Sequence, residues 1–182
     1  MSGLSLFKDL RRPPRGFFLF FGGGLLRLVG FRARGGLDRR LRLGLQGVLD
    51  HGKAEIGGDA AEGDRFAAAL ERAGMRSVSP VAVWEAVAGL ARVYALSIPE
   101  ARRKVAEFLA TAEVETLVIG RAELDLALDA YDQFGKGRHP ARLNLGDCFT
   151  YAAAMARDAP LLHQDEGFWL TNVRQALEAT EE

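Results

Sequence analysis

Residues 135–155 of the chain read Gly-Lys-Gly-Arg-His-Pro-Ala-Arg-Leu-Asn-Leu-Gly-Asp-Cys-Phe-Thr-Tyr-Ala-Ala-Ala-Met. A basic loop with two glycines gives way here to an apolar helix, and one acidic residue, Asp147, falls in the first turn of that helix. Asn144 is a good N-cap, and an acid three residues later can complete a capping box and complement the helix dipole. Asp147 can therefore serve the helix itself or act as a functional carboxylate, and the residues alone leave both readings open.

This stretch resembles the signature of PIN-domain ribonucleases, in particular the toxin halves of VapBC-type bacterial toxin–antitoxin pairs. The resemblance rests on residues 135–141 and 143–152, and it extends more weakly from about Val48 to about Val173. It does not cover the first 45 or so residues. The resemblance implies an α/β/α PIN fold, endoribonuclease activity that depends on Mg²⁺ or Mn²⁺, an antitoxin partner and a homodimer.

The pattern of apolar residues gives an independent prediction of the fold. Helical periodicity or helix-start signals predict helices over residues 61–73, 81–96, 101–112, 121–134 and 145–157. Short apolar runs predict strands over residues 75–79, 114–119 and 160–164. This alternation is typical of an α/β fold in three layers, α/β/α, with a central parallel sheet. Ligands of such sheets gather at the carboxyl ends of the strands.

Length and composition are those of one soluble domain. The chain has 182 residues, no formal net charge and 48% hydrophobic residues, which suffice for a sizeable core. The single cysteine, Cys148, cannot form an internal disulfide and is expected in a buried helix position. We therefore expect a cytoplasmic protein.

The first part of the chain differs from the rest. Residues 1–49 carry ten Lys and Arg against two Asp and Glu, and they hold ten of the 21 glycines. The composition favours three parts: an atypical basic, Gly-rich segment at 1–46, the PIN-like domain at 47–176 and a tail at 177–182. We interpret the first segment as an over-long start or as the product of a shifted reading frame. We therefore expect it to lack regular structure and to be dispensable for folding. A signal peptide and a membrane-associated segment at residues 1–31 are alternatives, but the apolar run from Phe17 to Phe31 is shorter than the ~20 residues of a spanning helix.

The resemblance implies a first strand that ends in an Asp, and Val48-Leu-Asp50 fits that position. A turn residue before His51-Gly52 is the competing interpretation of Asp50. Residues 51–62 lack the turn and the apolar helix face that the family has there, which suggests local sequence error or decay.

Hydrolysis of RNA assisted by Mg²⁺ or Mn²⁺ requires several carboxylates, because these hard cations prefer oxygen ligands. Glu85 is the only charged residue between Ser79 and Leu90. Burying an unpaired carboxylate is unfavourable, so Glu85 is expected to meet a metal or a cation, or to face solvent. The resemblance places Glu85, Asp147 and Asp50 in the metal site.

The fourth acidic position of the family departs from the pattern. Gly167 stands where an acid is usual just before Phe168, and Asp165 and Glu166 lie immediately upstream. We expect Asp165 to substitute, since a short loop side chain is easily oriented. Thr171 matches a hydroxyl position near that site and is a candidate for positioning water.

The basic loop supplies Lys136, Arg138 and Arg142 as candidates for contact with an RNA backbone, although solvation alone would also explain them. His139 is expected to be structural because Pro140 restricts it to an extended conformation. Four aromatic residues are expected in the core rather than on a base-stacking surface: Trp84, Phe149, Tyr151 and Phe168.

Together these observations predict a metal-dependent endoribonuclease of VapC type that cuts RNA and is restrained by an antitoxin, with no stable insertion in a membrane. The alternative is a weakened PIN-like module that binds antitoxin or RNA without efficient cleavage. The departures at Gly167 and at residues 51–62 are the reason for keeping this alternative.

Overall fold

The computed structural model describes the backbone of residues 16–19 and, with their side chains, residues 68–70, 72–163 and 165–177. In chain order the elements are β1 (Gly16–Leu19), β2 (Met75–Val78), α1 (Pro80–Val93), α2 (Ile98–Thr111), β3 (Val114–Thr116), α3 (Arg121–Phe134), α4 (Leu145–Ala156), β4 (Leu161–Leu162) and α5 (Glu166–Trp169). Residues 68–70 and 72 are also helical, within the helix predicted over residues 61–73.

The four strands form one sheet in the order β3-β2-β1-β4, and every pairing is parallel. β1 pairs with β2 along its whole length, from Gly16 opposite Met75 to Leu19 opposite Val78. Its other side pairs with β4. β1 is therefore an interior strand, and the parallel sheet agrees with the prediction from the sequence.

The strand β1 corrects one expectation from the sequence. We predicted no regular structure in residues 1–46, but Gly16–Leu19 lies between β2 and β4. A continuous apolar run of four residues suits an interior parallel strand, but its periodicity cannot distinguish it from other buried structure. The strand expected to end at Asp50 lies outside the described residues.

Side-chain caps explain where the first two long helices begin. The Ser79 hydroxyl accepts a hydrogen bond from the Ala82 backbone N–H at 3.0 Å, and Pro80 fills the first position of α1. At α2, Ser97 and Glu100 form a reciprocal capping box. These caps place one residue between β2 and α1 and four residues between the end of α1 and the start of α2.

The helices cover both faces of the sheet. Leu161 and Leu162 are neighbours on β4 and are both fully buried, but they belong to different apolar clusters. Because successive side chains of a strand point to opposite faces, the two clusters lie on opposite sides of the sheet. One cluster is built mainly from α1 and α2, and the other mainly from α3 and α4. The fold is therefore the three-layer α/β/α arrangement.

This topology brings the chemically interesting segments together. β2 ends at Val78 and leads into α1, which carries Glu85, while β4 ends at Leu162 and leads to Asp165.

Within the described part of the chain, no helix has both the length and the apolar character that a membrane crossing needs. Apart from the backbone of β1, the segment suggested for membrane association, residues 1–31, lies outside that part.

Candidate functional site

Asp147 combines a structural role with an unused oxygen. Its Oδ2 atom accepts a hydrogen bond from the Asn144 backbone N–H at 2.7 Å, and its own N–H donates to Asn144 Oδ1 at 3.1 Å. This is the predicted capping box. The side chain is only 4% exposed, and Oδ1 has no hydrogen-bond partner among the described residues. The cap therefore accounts for one carboxylate oxygen and leaves the other available to a ligand.

Glu85 approaches the same helix from α1. Its carboxylate lies against Gly146, so closely that a Cβ atom at position 146 would overlap both carboxylate oxygens. Glu85 Oε2 is buried and, like Asp147 Oδ1, has no hydrogen-bond partner in the described part of the chain. The absence of a side chain at Gly146 thus allows a carboxylate from α1 to reach the residue next to Asp147.

The electrostatics of this pair favour a bound cation. Burial raises the pKa of Asp147 to about 6, the hydrogen bond from Asn144 opposes that change, and the charges of Asp165 and Glu85 add to it. Burial also raises the pKa of Glu85. Two partly desolvated carboxylates that repel each other would be stabilised by a divalent cation.

Asp165 lies close enough to raise the pKa of Asp147 but is itself exposed. It is the N-cap of α5, where Oδ1 accepts from the Gly167 N–H at 2.7 Å. A Cβ atom at Gly167 would lie 2.5 Å from the Ala141 carbonyl oxygen, so this backbone position has no room for the acidic side chain that the family carries there. Asp165 therefore caps a short helix beside the buried pair, and Glu166 is exposed in its first turn.

The remaining two candidate site residues are Thr171 and Asp50. The Thr171 hydroxyl donates to the Phe168 carbonyl at 2.8 Å and accepts from the Val173 N–H at 3.3 Å. Its only hydrogen thus stabilises the turn after α5, and a role in positioning water would depend on its remaining lone pair. Asp50 lies outside the described residues.

The two carboxylates, one from α1 and one from α4, are chemically suited to a hard cation. Glu85 and Asp147 each offer one buried oxygen without a hydrogen-bond partner in the described residues, which fits Mg²⁺ or Mn²⁺. Within residues 68–70, 72–163 and 165–177, no group of three or more His, Cys, Asp or Glu side chains is arranged to hold a metal ion. If only these described residues are considered, a cation held by Glu85 and Asp147 would take its further ligands from water or substrate.

The basic loop is a closed structure beside α4. The Lys136 N–H donates to the Leu143 carbonyl and the Leu143 N–H donates to the Phe134 carbonyl, each at 3.0 Å. Lys136, Arg138 and Arg142 are all exposed. Arg138 forms an ion pair with Asp132 at 3.1 Å, so it is less free than the other two to meet a phosphate.

His139 is structural, as predicted, because its Nδ1 accepts from the Ala141 N–H at 3.1 Å and its ring packs edge-on against Phe134. The expectation for Trp84 is wrong, since this side chain is 70% exposed on α1. The helical spacing could not separate Trp84 from its buried neighbours. The other three aromatic residues do pack into the core, and Cys148 is buried as expected.

His163 holds α5 onto β4 and is not among the site residues that the sequence predicts. Gln175 uses both hydrogens of its amide to donate to the Phe168 and Val173 carbonyls, at 3.1 and 2.9 Å. Its oxygen therefore accepts from His163 Nε2. Burial lowers the pKa of His163. A His directly after two buried leucines was the available signal.

Comparison with known proteins identifies the fold family. A profile of the PIN domain matches residues 55–172 of the chain. The chain belongs to the PIN domain family.

Individual PIN-domain relatives carry ribonuclease names. The chain is similar to Ribonuclease VapC30 of Mycobacterium tuberculosis, with 36% identity over 121 residues that span 63% of this chain and 86% of the relative. It is similar to a VapC ribonuclease of Rhizobium meliloti, with 36% identity over 111 residues, 55% of this chain and 78% of the relative. A Ribonuclease VapC of Mycolicibacterium smegmatis is 44% identical over 71 residues, which cover 39% of this chain and 55% of that protein. These findings confirm the resemblance to PIN-domain ribonucleases of VapC type that residues 135–155 indicate.

Proposed function

We propose that this PIN-domain protein is a metal-dependent endoribonuclease, the toxin component of a toxin–antitoxin pair. The observation that carries the proposal is the pair of carboxylates from α1 and α4, each with a buried oxygen that the described residues leave without a partner. Membership of the PIN family and similarity to proteins named ribonuclease VapC support the same activity.

The residues suggest a division of labour. Glu85 and Asp147 would hold Mg²⁺ or Mn²⁺ on their unpaired oxygens, with Asp165 at the edge of the site and Asp50 as a further ligand. When bound, such a cation supplies an activated water and offsets the charge that develops on the phosphate. The protein keeps the two carboxylates in place by the Asn144 cap and by the close contact at Gly146. No side chain has to form a covalent bond to the RNA.

The substrate would approach over the basic loop. Lys136, Arg138 and Arg142 are exposed in the loop that leads into the α4 helix of Asp147, where they could contact the phosphate backbone. An RNA substrate and an antitoxin partner make the cytoplasm the expected location.

A homodimer is also proposed, and α3 offers a candidate surface. Leu124, Leu128 and Tyr131 are exposed at a spacing that places them on one side of this helix. Replacing Leu128 by Glu should shift the mass measured by light scattering from two chains to one. A single chain in the unmodified protein would contradict the dimer without bearing on the nuclease activity.

Growth during induced expression tests the toxin activity. We expect the unmodified protein to arrest growth with cleavage of cellular RNA, and Asp147→Asn to do neither at the same protein level. Asp125→Asn is the matched control. It removes an exposed acid of α3 that pairs with Arg121 and not with Glu85 or Asp147. Equal growth arrest by the Asp147→Asn protein would contradict the proposal.

A second candidate is a PIN-like module with weakened catalysis. It is favoured by Asp165, whose carboxylate caps α5, and by Gly167, which replaces the acid of the family. This candidate predicts RNA binding at similar affinity by the unmodified and Glu85→Gln proteins, with no cleavage by either. Cleavage that is lost in Glu85→Gln would reject it.

A further inference from the structure

One buried hydroxyl lies on α4, the helix that also carries Asp147 of the acidic pair, Glu85 and Asp147. The Thr150 side chain is fully buried, and its hydroxyl has no hydrogen-bond partner among the described residues. A buried hydroxyl without a partner is unfavourable, and a helical Thr ordinarily bonds to a carbonyl of the preceding turn. The described residues thus leave the Thr150 hydroxyl to a ligand or a water.

Helix geometry places Thr150 on the same side of α4 as Gly146 and Asp147. With about 100° of rotation per residue, Thr150 projects about 40° from Gly146 and about 60° from Asp147, on the arc between them. Side chains on a helix lean toward its N-terminus, so the Thr150 hydroxyl leans over the turn that contains Gly146 and Asp147. The Glu85 carboxylate lies against that same turn.

Three side chains at this turn thus each carry a buried oxygen without a hydrogen-bond partner among the described residues: Glu85 Oε2, Asp147 Oδ1 and Thr150 Oγ1. A water molecule can satisfy several buried polar groups at once, and outer hydrogen bonds of this kind orient the ligands of a metal. A hydroxyl is the fitting third member, because it donates a hydrogen to a set that otherwise contains only acceptors.

We propose that Thr150 is a positioning residue of the cation site, whose hydroxyl binds a water that is shared with Glu85 and Asp147. Without a cation this water would bridge the three side chains, and with a cation bound the Thr150 hydroxyl would orient a water beside the two carboxylates. The proposal deepens the proposed function and rests on the acidic pair being its cation site.

Two substitutions separate the hydroxyl from the shape of the side chain. Thr150→Val keeps the volume and removes the hydroxyl, while Thr150→Ser keeps the hydroxyl and removes a methyl group. We expect Thr150→Val to weaken Mn²⁺ binding about tenfold or more in a calorimetric titration of the full chain, as for other residues that orient metal ligands. Thr150→Ser should bind Mn²⁺ within about threefold of the unmodified protein, because it retains the group that the water needs.

Thermal unfolding without metal gives a second, independent result. If the water is shared, Thr150→Val loses a hydrogen bond and its unfolding midpoint falls by a few degrees. If the hydroxyl has no partner, removing it relieves an unfavourable burial and the midpoint rises. Unchanged Mn²⁺ binding together with a higher midpoint in Thr150→Val would overturn the proposal.

The same measurements separate failure of the Thr150 proposal from failure of the proposed function. If the unmodified protein binds no Mn²⁺, the cation site itself is wrong, and the unfolding midpoints alone decide whether Thr150 shares a water with the acids. A lower midpoint in Thr150→Val than in Thr150→Ser would then support the bridge, and a higher one would reject it.

Discussion

The carboxylate of Glu85 lies against the backbone of Gly146, in space that any side chain at position 146 would occupy. Glu85 belongs to α1 and Gly146 to the first turn of α4, so the contact joins two helices at the residue next to Asp147. The glycine is required here for close approach, and the acidic pair depends on that approach.

Replacing Gly146 by Ala should therefore disrupt the pair. Alanine strengthens a helix by up to about 1 kcal/mol over glycine, and the atoms that its Cβ would meet are the flexible end of the Glu85 side chain, which can move aside. We therefore expect little loss in the free energy of unfolding, measured by denaturant titration, but a displaced Glu85 carboxylate and weaker Mn²⁺ binding. Gly120→Ala is the control, because its Cβ would meet its nearest neighbour at an ordinary 3.5 Å. Stabilisation by Gly146→Ala with unchanged Mn²⁺ binding would show that the contact is not needed.

The raised pKa of Asp147 predicts a pH dependence of stability. The folded pKa is about 6 against 3.8 for the ordinary group, so the folded state binds this proton more tightly than the unfolded state does. The unfavourable contribution is absent below about pH 3.8, grows as pH rises between these values, and is complete above about pH 6. Two pKa units correspond to about 3 kcal/mol.

Asp147→Asn removes this contribution. We measure the stability of Asp147→Asn relative to the unmodified protein at two pH values. We expect this difference to be about 2–3 kcal/mol more favourable to the variant at pH 7.5 than at pH 4. The buried His163 has a lowered pKa and acts in the opposite direction, but it is present in both proteins and cancels in the difference. A difference between the two proteins that does not vary with pH would contradict the raised pKa.

The interior position of β1 predicts that the first segment is needed for folding. Deletion of residues 1–46 removes the strand that joins β2 to β4, so β2 and β4 each lose their pairing with β1, although β2 keeps β3. We expect a lower unfolding midpoint and a smaller denaturant m-value by circular dichroism. Deletion of residues 1–12 retains the strand and is the control. Unchanged unfolding of the longer deletion would restore the expectation, drawn from composition, that this segment is dispensable.

Features that depend on residues close together in the chain could be predicted from the sequence. Helix α3 begins and ends where the pattern predicts it, at residues 121 and 134, because a capping Glu123 and a following glycine mark its ends. The capping box of Asp147 was visible for the same reason, since local hydrogen bonds depend on neighbours in the chain.

Features that depend on distant contacts could not be predicted in this way. The pairing of β1 with β2 joins residues about sixty positions apart, and a short apolar run does not specify its partner. The exposure of Trp84 and the contact of Glu85 with Gly146 likewise depend on how α1 packs in the folded chain. The site residues on α1 and α4 could be named from resemblance, but their separation and burial could not.

The basic loop predicts salt-dependent RNA binding. We expect the double substitution of Lys136 and Arg142 by Ala, in an Asp147→Asn background, to weaken binding of a short single-stranded RNA in fluorescence anisotropy. Each phosphate contact that is lost should reduce the slope of log affinity against log salt by roughly 0.7. Arg103→Ala, an exposed arginine on α2 that pairs with Glu107, should leave the slope unchanged. Equal slopes for the double variant and the Arg103→Ala control would remove the loop from the binding surface.

Cleavage of RNA by the purified full chain is the most direct test of the central claim. With Mn²⁺ or Mg²⁺ we expect endonucleolytic products that EDTA abolishes and that Asp147→Asn and Glu85→Gln each reduce about a hundredfold or more, while Asp125→Asn cleaves normally. Cleavage that continues in EDTA or in Asp147→Asn, or no cleavage of several RNAs by protein shown to be folded, would contradict a metal-dependent nuclease built on these two carboxylates.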